Sequence, residues 1–500
     1  MRPIKKVLIA NRGEIAVRVI RACREMGITP VAVYSEVDRR SLHVRLAEEA
    51  YPLGEAAPAL SYLNIEKIIQ IAKRCRAEAI HPGYGFLAEN HHFVRRCEEE
   101  GIIFIGPPTG PMELLGLKTI SRQKMVEAGV PIIPGTLQPI KSETDLVAAA
   151  EKIGFPLLLK ASAGGGGKGL RFVAKKEELL SAYRLAASEA QASFGDPSIY
   201  VEKYIVEPHH IEVQILVDFE GNAVYLGERE CSLQRRYQKI LEETPSPFID
   251  DETRHKMGRM AVTAAQSIGY RNAGTVEFIV DRNRNFYFLE VNARLQVEHP
   301  ITEMVTGIDL VRTQIEIAQG MPLPFTQKDI QPQGWAIECR IMAEDPFQDF
   351  MPSPGTILYL HPPGGPGIRE DSGVVEGYTV PLEYDPLLSK LIAWGKTREE
   401  AIQRLRRALK EYQIYGIKTT IPFFLRILDH PDFLAGKYDT HFISKLEKEP
   451  TPDSGDELVA VAAAAIKSLT RLKPAPAQGA RVKSNPWKIE GRIETLRNRL

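Results

Sequence analysis

The segment Glu290–Pro300, EVNARLQVEHP, packs carboxylates, an amide, a guanidinium and an imidazole into a short stretch. It grows out of two largely apolar runs, Gly274–Asp281 and Asn285–Val291, joined by a polar turn. Runs of this length, rich in aromatic and β-branched residues, predict a β-hairpin. A turn centred on Asn283–Arg284 sets Glu277 directly opposite Glu290. Like charges facing each other across strands are destabilising unless something sits between them. A divalent cation meets that need, because carboxylate oxygens suit Mg²⁺ or Mn²⁺ and Mg²⁺ commonly joins them to nucleotide phosphates. Asn292, on the same strand face as Glu290, adds a third oxygen. Arg294 then offers a planar fork for an oxyanion. Glu298 is a candidate general base, given reach to a substrate proton. His299, just before a proline, reads as structural rather than catalytic.

A second constellation is Lys160-Ala-Ser-Ala-Gly-Gly-Gly-Gly-Lys168-Gly169. Its glycines, Gly165 and Gly166 among them, permit close approach of backbone to ligand, and consecutive amides can form an anion-binding concavity. The spacing is not that of a P-loop, since no Gly-Lys-Ser/Thr follows. A plain glycine linker has similar composition. The apolar strands on both sides, Phe155–Lys160 among them, and the flanking lysines favour a mobile flap over phosphates. A third stretch, Glu228–Lys239, is dense in donors that could bind oxyanions or could form a solvated charged strand. Cys231 within it lacks the partners of a thiol nucleophile and reads as a bystander.

Elements must position these groups. Residues 1–110 alternate strands (Val7–Ala10, Thr29–Tyr34, Ala79–His81, Ile102–Ile105) with helical stretches (Glu14–Met26, Asn64–Arg76). That is the rhythm of a doubly wound parallel sheet. No GxGxxG follows the first strand; Asn11-Arg-Gly-Glu14 stands there instead. Residues 111–135 read as helical, 136–204 as a compact αβ unit around the glycine run, 205–300 as strand-rich, and 301–445 as mixed. Beyond about Pro450 the pattern changes to a helical stretch Asp456–Leu472, a Pro/Ala linker, and a basic segment. From Lys467 to Leu500 there are nine Lys/Arg against two Asp/Glu. That tail is either a solvated, self-packed extension or a docking helix for a partner subunit.

The chain's 64 basic and 64 acidic residues leave no global field to draw in nucleic acid or a membrane surface. Any anionic substrate must be held by local charge. Five scattered cysteines without a CxxC pair argue against a disulfide framework or zinc site. The N-terminus lacks the apolar run of a signal peptide, and Leu458–Ile466 is too short to span a bilayer. A soluble, cytoplasmic protein is expected.

Taken together, Asn11–Glu14, His81-Pro-Gly-Tyr-Gly-Phe-Leu-Ala-Glu-Asn90, the glycine loop, Glu202-Lys203-Tyr204, Gln234–Lys239 and Glu290–Pro300 resemble biotin carboxylases over roughly residues 1–446. The resemblance implies an α/β and α+β multidomain fold. Residues 1–114 would form a Rossmann-like N-terminal domain and 115–330 an ATP-grasp core, with a mobile glycine-rich lid at about 134–204. Residues 331–446 would form a biotin carboxylase C-terminal domain, and 447–500 a helical basic extension. It further implies that Lys118 and Lys160 hold ATP phosphates under the closing loop. Glu202, Lys203 and Ile205 would line the adenine pocket, and His210 and Gln234 would contact the ribose. Glu277 and Glu290 would hold two Mg²⁺ or Mn²⁺ ions with help from Asn292. Lys239, Arg294, Gln296 and Val297 would bind bicarbonate, Glu298 would deprotonate it, Arg340 would stabilise the biotin enolate, and Tyr84 would lie near biotin.

Tyr237 stands where that family often has His. No Met-Lys-Met biotinylation motif is present, so biotin is expected on a separate carrier protein, with a separate carboxyltransferase. The resemblance further implies a homodimer of this chain. The final carboxyl acceptor stays open among acetyl-CoA, propionyl-CoA, pyruvate and similar acids. Two other readings are another ATP-grasp carboxylate or carbamate ligase, and a non-catalytic regulatory protein. A protein of the last kind should have lost a metal ligand or the base, and here both are retained.

Overall fold

Val7, Leu8 and Ile9 are all fully buried, as befits a strand covered on both faces. The computed structural model describes residues 3–161 and 170–447. Its first strand, β1 (Lys6–Ile9), is followed by β2 (Thr29–Ser35), β3 (Glu49–Gly54), β4 (Ala79–His81) and β5 (Ile103–Phe104). All pair in parallel in the order β3-β2-β1-β4-β5, a Rossmann-like sheet. The sequence reading places four of these strands and misses β3, whose AYPLG lacks a clear apolar run. Helix α1 (Gly13–Glu25) presents Ile15, Ala16, Val19, Ile20 and Cys23 to the core at helical spacing. Residues 111–135 hold the end of one helix, Thr109–Gly116, and the whole of a second, Lys118–Glu127.

A three-stranded antiparallel unit comes next: β6 (Leu157–Ala161), β7 (Leu170–Val173) and β8 (Ile199–Lys203), in the order β7-β6-β8. It has its own core of Leu146, Leu157, Leu159, Val173, Ile199 and Val201.

The largest sheet runs β13-β12-β9-β10-β11-β14 and continues through the strands Leu387–Gly395 and Ile368–Ser372. Here β9 is His209–Val217, β10 Ala223–Arg235, β11 Gln238–Thr244, β12 Asn272–Val280, β13 Phe286–Asn292 and β14 Trp335–Met342. Central β9 is buried along its whole length, and its period-2 alternation sorts chemistry by face. Ile211, Val213, Ile215 and Val217 pack with Met257, Ala261 and Ala264 of the helix Asp251–Ser267. Each such Val or Ile contributes about 1.5–3 kcal/mol by leaving water. His210, Glu212 and Gln214 fall on the opposite face.

Pairing brings Glu277 opposite Glu290, as the hairpin reading expects, but by a different route. Phe278 pairs with Phe288, and a bulge between Glu277 and Phe278 shifts the ladder by one residue. The turn alone does not set that register; the bulge re-aims the carboxylate pair. Contacts divide the chain into Met1–Lys445 and Leu446–Leu500, and the described part of the second unit is Leu446 and Glu447 alone. The readings of the tail beyond residue 447 lie outside the described residues. Among the described residues no helix is long and apolar enough to cross a membrane.

Candidate functional site

The polar face of the large sheet floors a cleft of about 940 Å³. Of the residues singled out from sequence, Tyr84, Lys160, Glu202, Lys203, Ile205, His210 and Gln234 line it. So do Lys239, Glu277, Glu290, Asn292, Arg294, Gln296, Val297 and Arg340. These positions span more than 250 residues of sequence, and the fold gathers them into one cavity. The Lys118 side chain lies outside the described residues, as do Gly165, Gly166 and the rest of the glycine loop.

At the deep end Lys239 Nζ donates to three carboxylates: Glu212, Glu277 at 2.9 Å and Glu298 at 2.8 Å. Arg340 reaches the other oxygen of Glu298 at 3.0 Å and Glu242 at 2.7 Å. Arg229, wholly buried, binds Glu212, Gln214, Thr275 and Thr302. Four carboxylates thus face three permanent cations. Burial raises the Glu242 carboxyl to about 7 and pushes Glu212 up too. Burial works the same way on Glu298, but Lys239, Arg340 and Arg229 outweigh it and hold that carboxylate well below its usual range. Glu298 is therefore ionised. It is also fully buried and is not among the residues lining the cleft, whereas Lys239 and Arg340, which both bind it, are.

Glu277 is saturated. Its Oε1 accepts from Lys239, Asn292 and Gln296, and its Oε2 lies 2.9 Å from His210 Nε2. Burial again favours the neutral form, and Lys239 and His210 override it. Glu290, across the hairpin, is exposed. This pair and the Asn292 amide are hard oxygen donors that fit Mg²⁺. A metal there would take over from Lys239 on Glu277 and would need the Asn292 oxygen, which now accepts from Arg294 at 3.2 Å. His210 Nδ1 is 2.9 Å from Gln234 Nε2, so the two residues assigned to a ribose sit side by side.

Arg294 is braced by Glu89 at 2.9 Å and Gln296 at 2.8 Å. In the nucleotide half, Glu202 pairs with both Arg122 and Lys160. The Lys203 ammonium, assigned to the adenine pocket, donates to the carbonyls of Gly154 and Phe155 instead of pointing free.

In the donor-rich stretch, Arg229 is consumed internally, and Arg235 and Arg236 pair with Asp349. Gln234, Tyr237, Gln238 and Lys239 remain to face the cleft. Tyr237 and Arg236 form the two-residue turn between β10 and β11, both at positive φ, and Tyr237 is exposed. Burial pushes the Cys231 thiol well above its ordinary range, so it is no nucleophile. The His299 ring is buried and neutral, its Nδ1 2.8 Å from the Gln296 carbonyl. Sequence reasoning held Glu14, Glu89 and Arg229 only as members of motifs, without a role, and missed Arg122, Glu212, Glu242 and Lys390. The alternation in HHIEVQILV is the signal that could have found Glu212, two residues from His210 on the same face.

Two motifs meet at the cleft wall. Asn11 Nδ2 donates to the carbonyls of Pro82 and Tyr84, both at 2.7 Å, clamping the His81–Tyr84 turn. Gly83 sits there at φ +63° with Asn11 against it; a Cβ would come within 2.8 Å of Asn11 Nδ2.

Three family models match in order along the chain: "Biotin carboxylase, N-terminal domain" at residues 3–112, "Carbamoyl-phosphate synthase L chain, ATP binding domain" at 118–326, and "Biotin carboxylase C-terminal domain" at 338–445. The chain is 53% identical over 441 residues to Biotin carboxylase 1 of Bacillus subtilis, covering 88% of this chain and 98% of that protein. The chain belongs to the biotin carboxylase family. The biotin carboxylase of a Nostoc species is 52% identical over 443 residues, covering 89% of this chain and 99% of that one. Among solved structures, the biotin carboxylase domain dimer of Hydrogenobacter thermophilus 2-oxoglutarate carboxylase, in complex with MgADP, ADP and bicarbonate, superposes with a TM-score of 0.85. It is 49% identical, covering 90% of this chain and 100% of that one. The three-part architecture expected from the resemblance is thus the family's own.

Proposed function

We propose that this chain uses ATP and bicarbonate to carboxylate biotin borne on a separate carrier protein, releasing ADP and phosphate. The observation that carries the reading is the buried, ionised Glu298 held between Lys239 and Arg340, beside the loop Arg294–Val297. Arg294, Gln296, Val297 and Lys239 receive bicarbonate. As the anion enters, it competes with Glu298 for the Lys239 ammonium. Loosening that ion pair raises the basicity of Glu298 as it takes the bicarbonate proton. The deprotonated oxygen attacks the γ-phosphorus of ATP, forming carboxyphosphate, which breaks to CO₂ and phosphate. Phosphate then accepts the biotin N1′ proton, Arg340 stabilises the enolate oxygen next to Tyr84, and N1′ attacks the released CO₂ to give carboxybiotin.

Lys118 and Lys160 hold ATP phosphates, with Gly165 and Gly166 in the covering loop. Glu202, Lys203 and Ile205 line the adenine, and His210 and Gln234 the ribose. In this assignment Lys160 leaves Glu202 when phosphate arrives. Glu277 and Glu290, with Asn292, would hold two Mg²⁺ or Mn²⁺ ions, which supply charge neutralisation at the transferring phosphoryl group. Residues 1–114, 115–330 and 331–446 are the three domains, with 134–204 as the lid, and 447–500 is a possible docking extension. The separate core of the three-stranded unit supports motion of that part as a body. The chain is assigned to the cytoplasm as a homodimer working with a carboxyltransferase partner.

Bicarbonate- and biotin-dependent ADP release tests this reading. Glu298→Gln and Arg340→Ala should each abolish it with the fold retained by circular dichroism. Full biotin-dependent activity in both variants would refute the site assignment. ATP turnover indifferent to biotin would favour another ATP-grasp ligase.

A further inference from the structure

Glu14 has no part in the chemistry above, yet it is 3% exposed and borders the cleft beside Tyr84. It lies in the first turn of α1. Its Oε1 accepts the hydroxyl of Tyr84. Its Oε2 lies 3.2 Å from Nζ of Lys390, a lysine with no solvent exposure on the strand Leu387–Gly395. Lys390 Nζ in turn donates to the Val297 carbonyl at 2.9 Å.

A fully buried ammonium needs a counter-charge. Among the described residues, Glu14 is the one carboxylate within ion-pair distance of it. Nearby Asp371 is taken by Arg369 in a two-pronged pair at 2.9 and 2.7 Å. Burial pushes the Glu14 carboxyl up to about 7, against the pull of the Lys390 ammonium. Two residues far apart in sequence, Tyr84 and Lys390, therefore meet on one carboxylate.

We propose that Glu14 is a positioning residue that ties the Tyr84 hydroxyl to the Lys390 ammonium and, through Lys390, sets the Val297 carbonyl bordering the bicarbonate site. The inference rests on the biotin carboxylase reading. Its consequence is that the biotin and bicarbonate sites share one brace, while the nucleotide half of the cleft does not depend on it.

The test uses the full chain, free biotin, bicarbonate and ATP, with ADP release as the readout. Glu14→Gln keeps the shape and removes the charge. It should raise KM for bicarbonate and for biotin about tenfold, the worth of one hydrogen bond to a charged group, with KM for ATP unchanged. Lys390→Met should raise KM for bicarbonate alike, and the double variant should be no worse than the poorer single one. Tyr84→Phe, which deletes one hydroxyl, should raise KM for biotin alone and serves if Glu14→Gln folds poorly. Unchanged KM for bicarbonate and biotin, a parallel rise in KM for ATP, or additive losses in the double variant would overturn the proposal. A wild-type chain without biotin- and bicarbonate-dependent ADP release would instead overturn the enzymatic reading on which it stands.

Discussion

Lys239 shows how much one side chain does at this site. Its ammonium is the common partner of Glu212, Glu277 and Glu298, all buried. Burial alone would strip its proton, and the three carboxylates more than reverse that. Lys239→Met leaves buried carboxylates unpaired, a change that typically costs about 3–5 kcal/mol. The expected outcome is a lower urea midpoint together with loss of ADP release. An unchanged midpoint would mean that the carboxylates neutralise without cost and that Lys239 serves bicarbonate alone. Sequence reasoning found Lys239 because QRRYQK is a recognisable motif. It passed over Glu212 and gave Arg229 no role, because without the alternation of its strand a charged residue looks the same whether it faces water or a buried partner 17 positions away.

Strands and turns were legible where their pattern was local. The short β4 is an example: AIH between helical stretches was placed to the residue. Its terminal His81 is fully buried, and the Gly83 N–H donates to its Nδ1 at 3.0 Å, so the ring is neutral. Burial lowers it from an ordinary 6.5 to about 3. The folded state thus resists protonation that the unfolded chain accepts below 6.5. This contribution to stability is intact above pH 6.5 and is lost as pH falls toward 3, at up to roughly 1.4 kcal/mol per pH unit. Urea unfolding at pH 7.5 and pH 5 should show wild type losing about 2 kcal/mol more than His81→Asn over that interval. Equal losses would show that His81 is not the group being titrated. The β12–β13 hairpin was legible as a hairpin, whereas the bulge that brings Glu277 to Glu290 was not, because nothing in FYFLEV marks an extra residue.

At the scale of the molecule, the sequence suggests a boundary near residue 330 that the sheet does not respect. Strand β14 and the two strands beyond it extend the sheet that begins in the central segment, with Leu241 opposite Cys339 and Glu242 opposite Glu338. Charge crosses the same line: Arg340 binds Glu242 and Glu298, and Arg398 binds Glu243 at 2.7 and 2.9 Å. Cutting there would expose β11 as a long edge and leave three buried carboxylates without these cations. Unpaired edges promote aggregation, and each uncompensated charge is strongly destabilising. A fragment of residues 3–330 should therefore be insoluble or lack a cooperative transition, even though it carries both proposed metal carboxylates and Glu298. Residues 3–447 should unfold across this boundary in one step, with probes on Trp335 and Trp394 and far-ultraviolet dichroism giving the same midpoint. A soluble, cooperatively folded 3–330 fragment would show that the central segment owns a complete core and that the C-terminal strands only dock onto it.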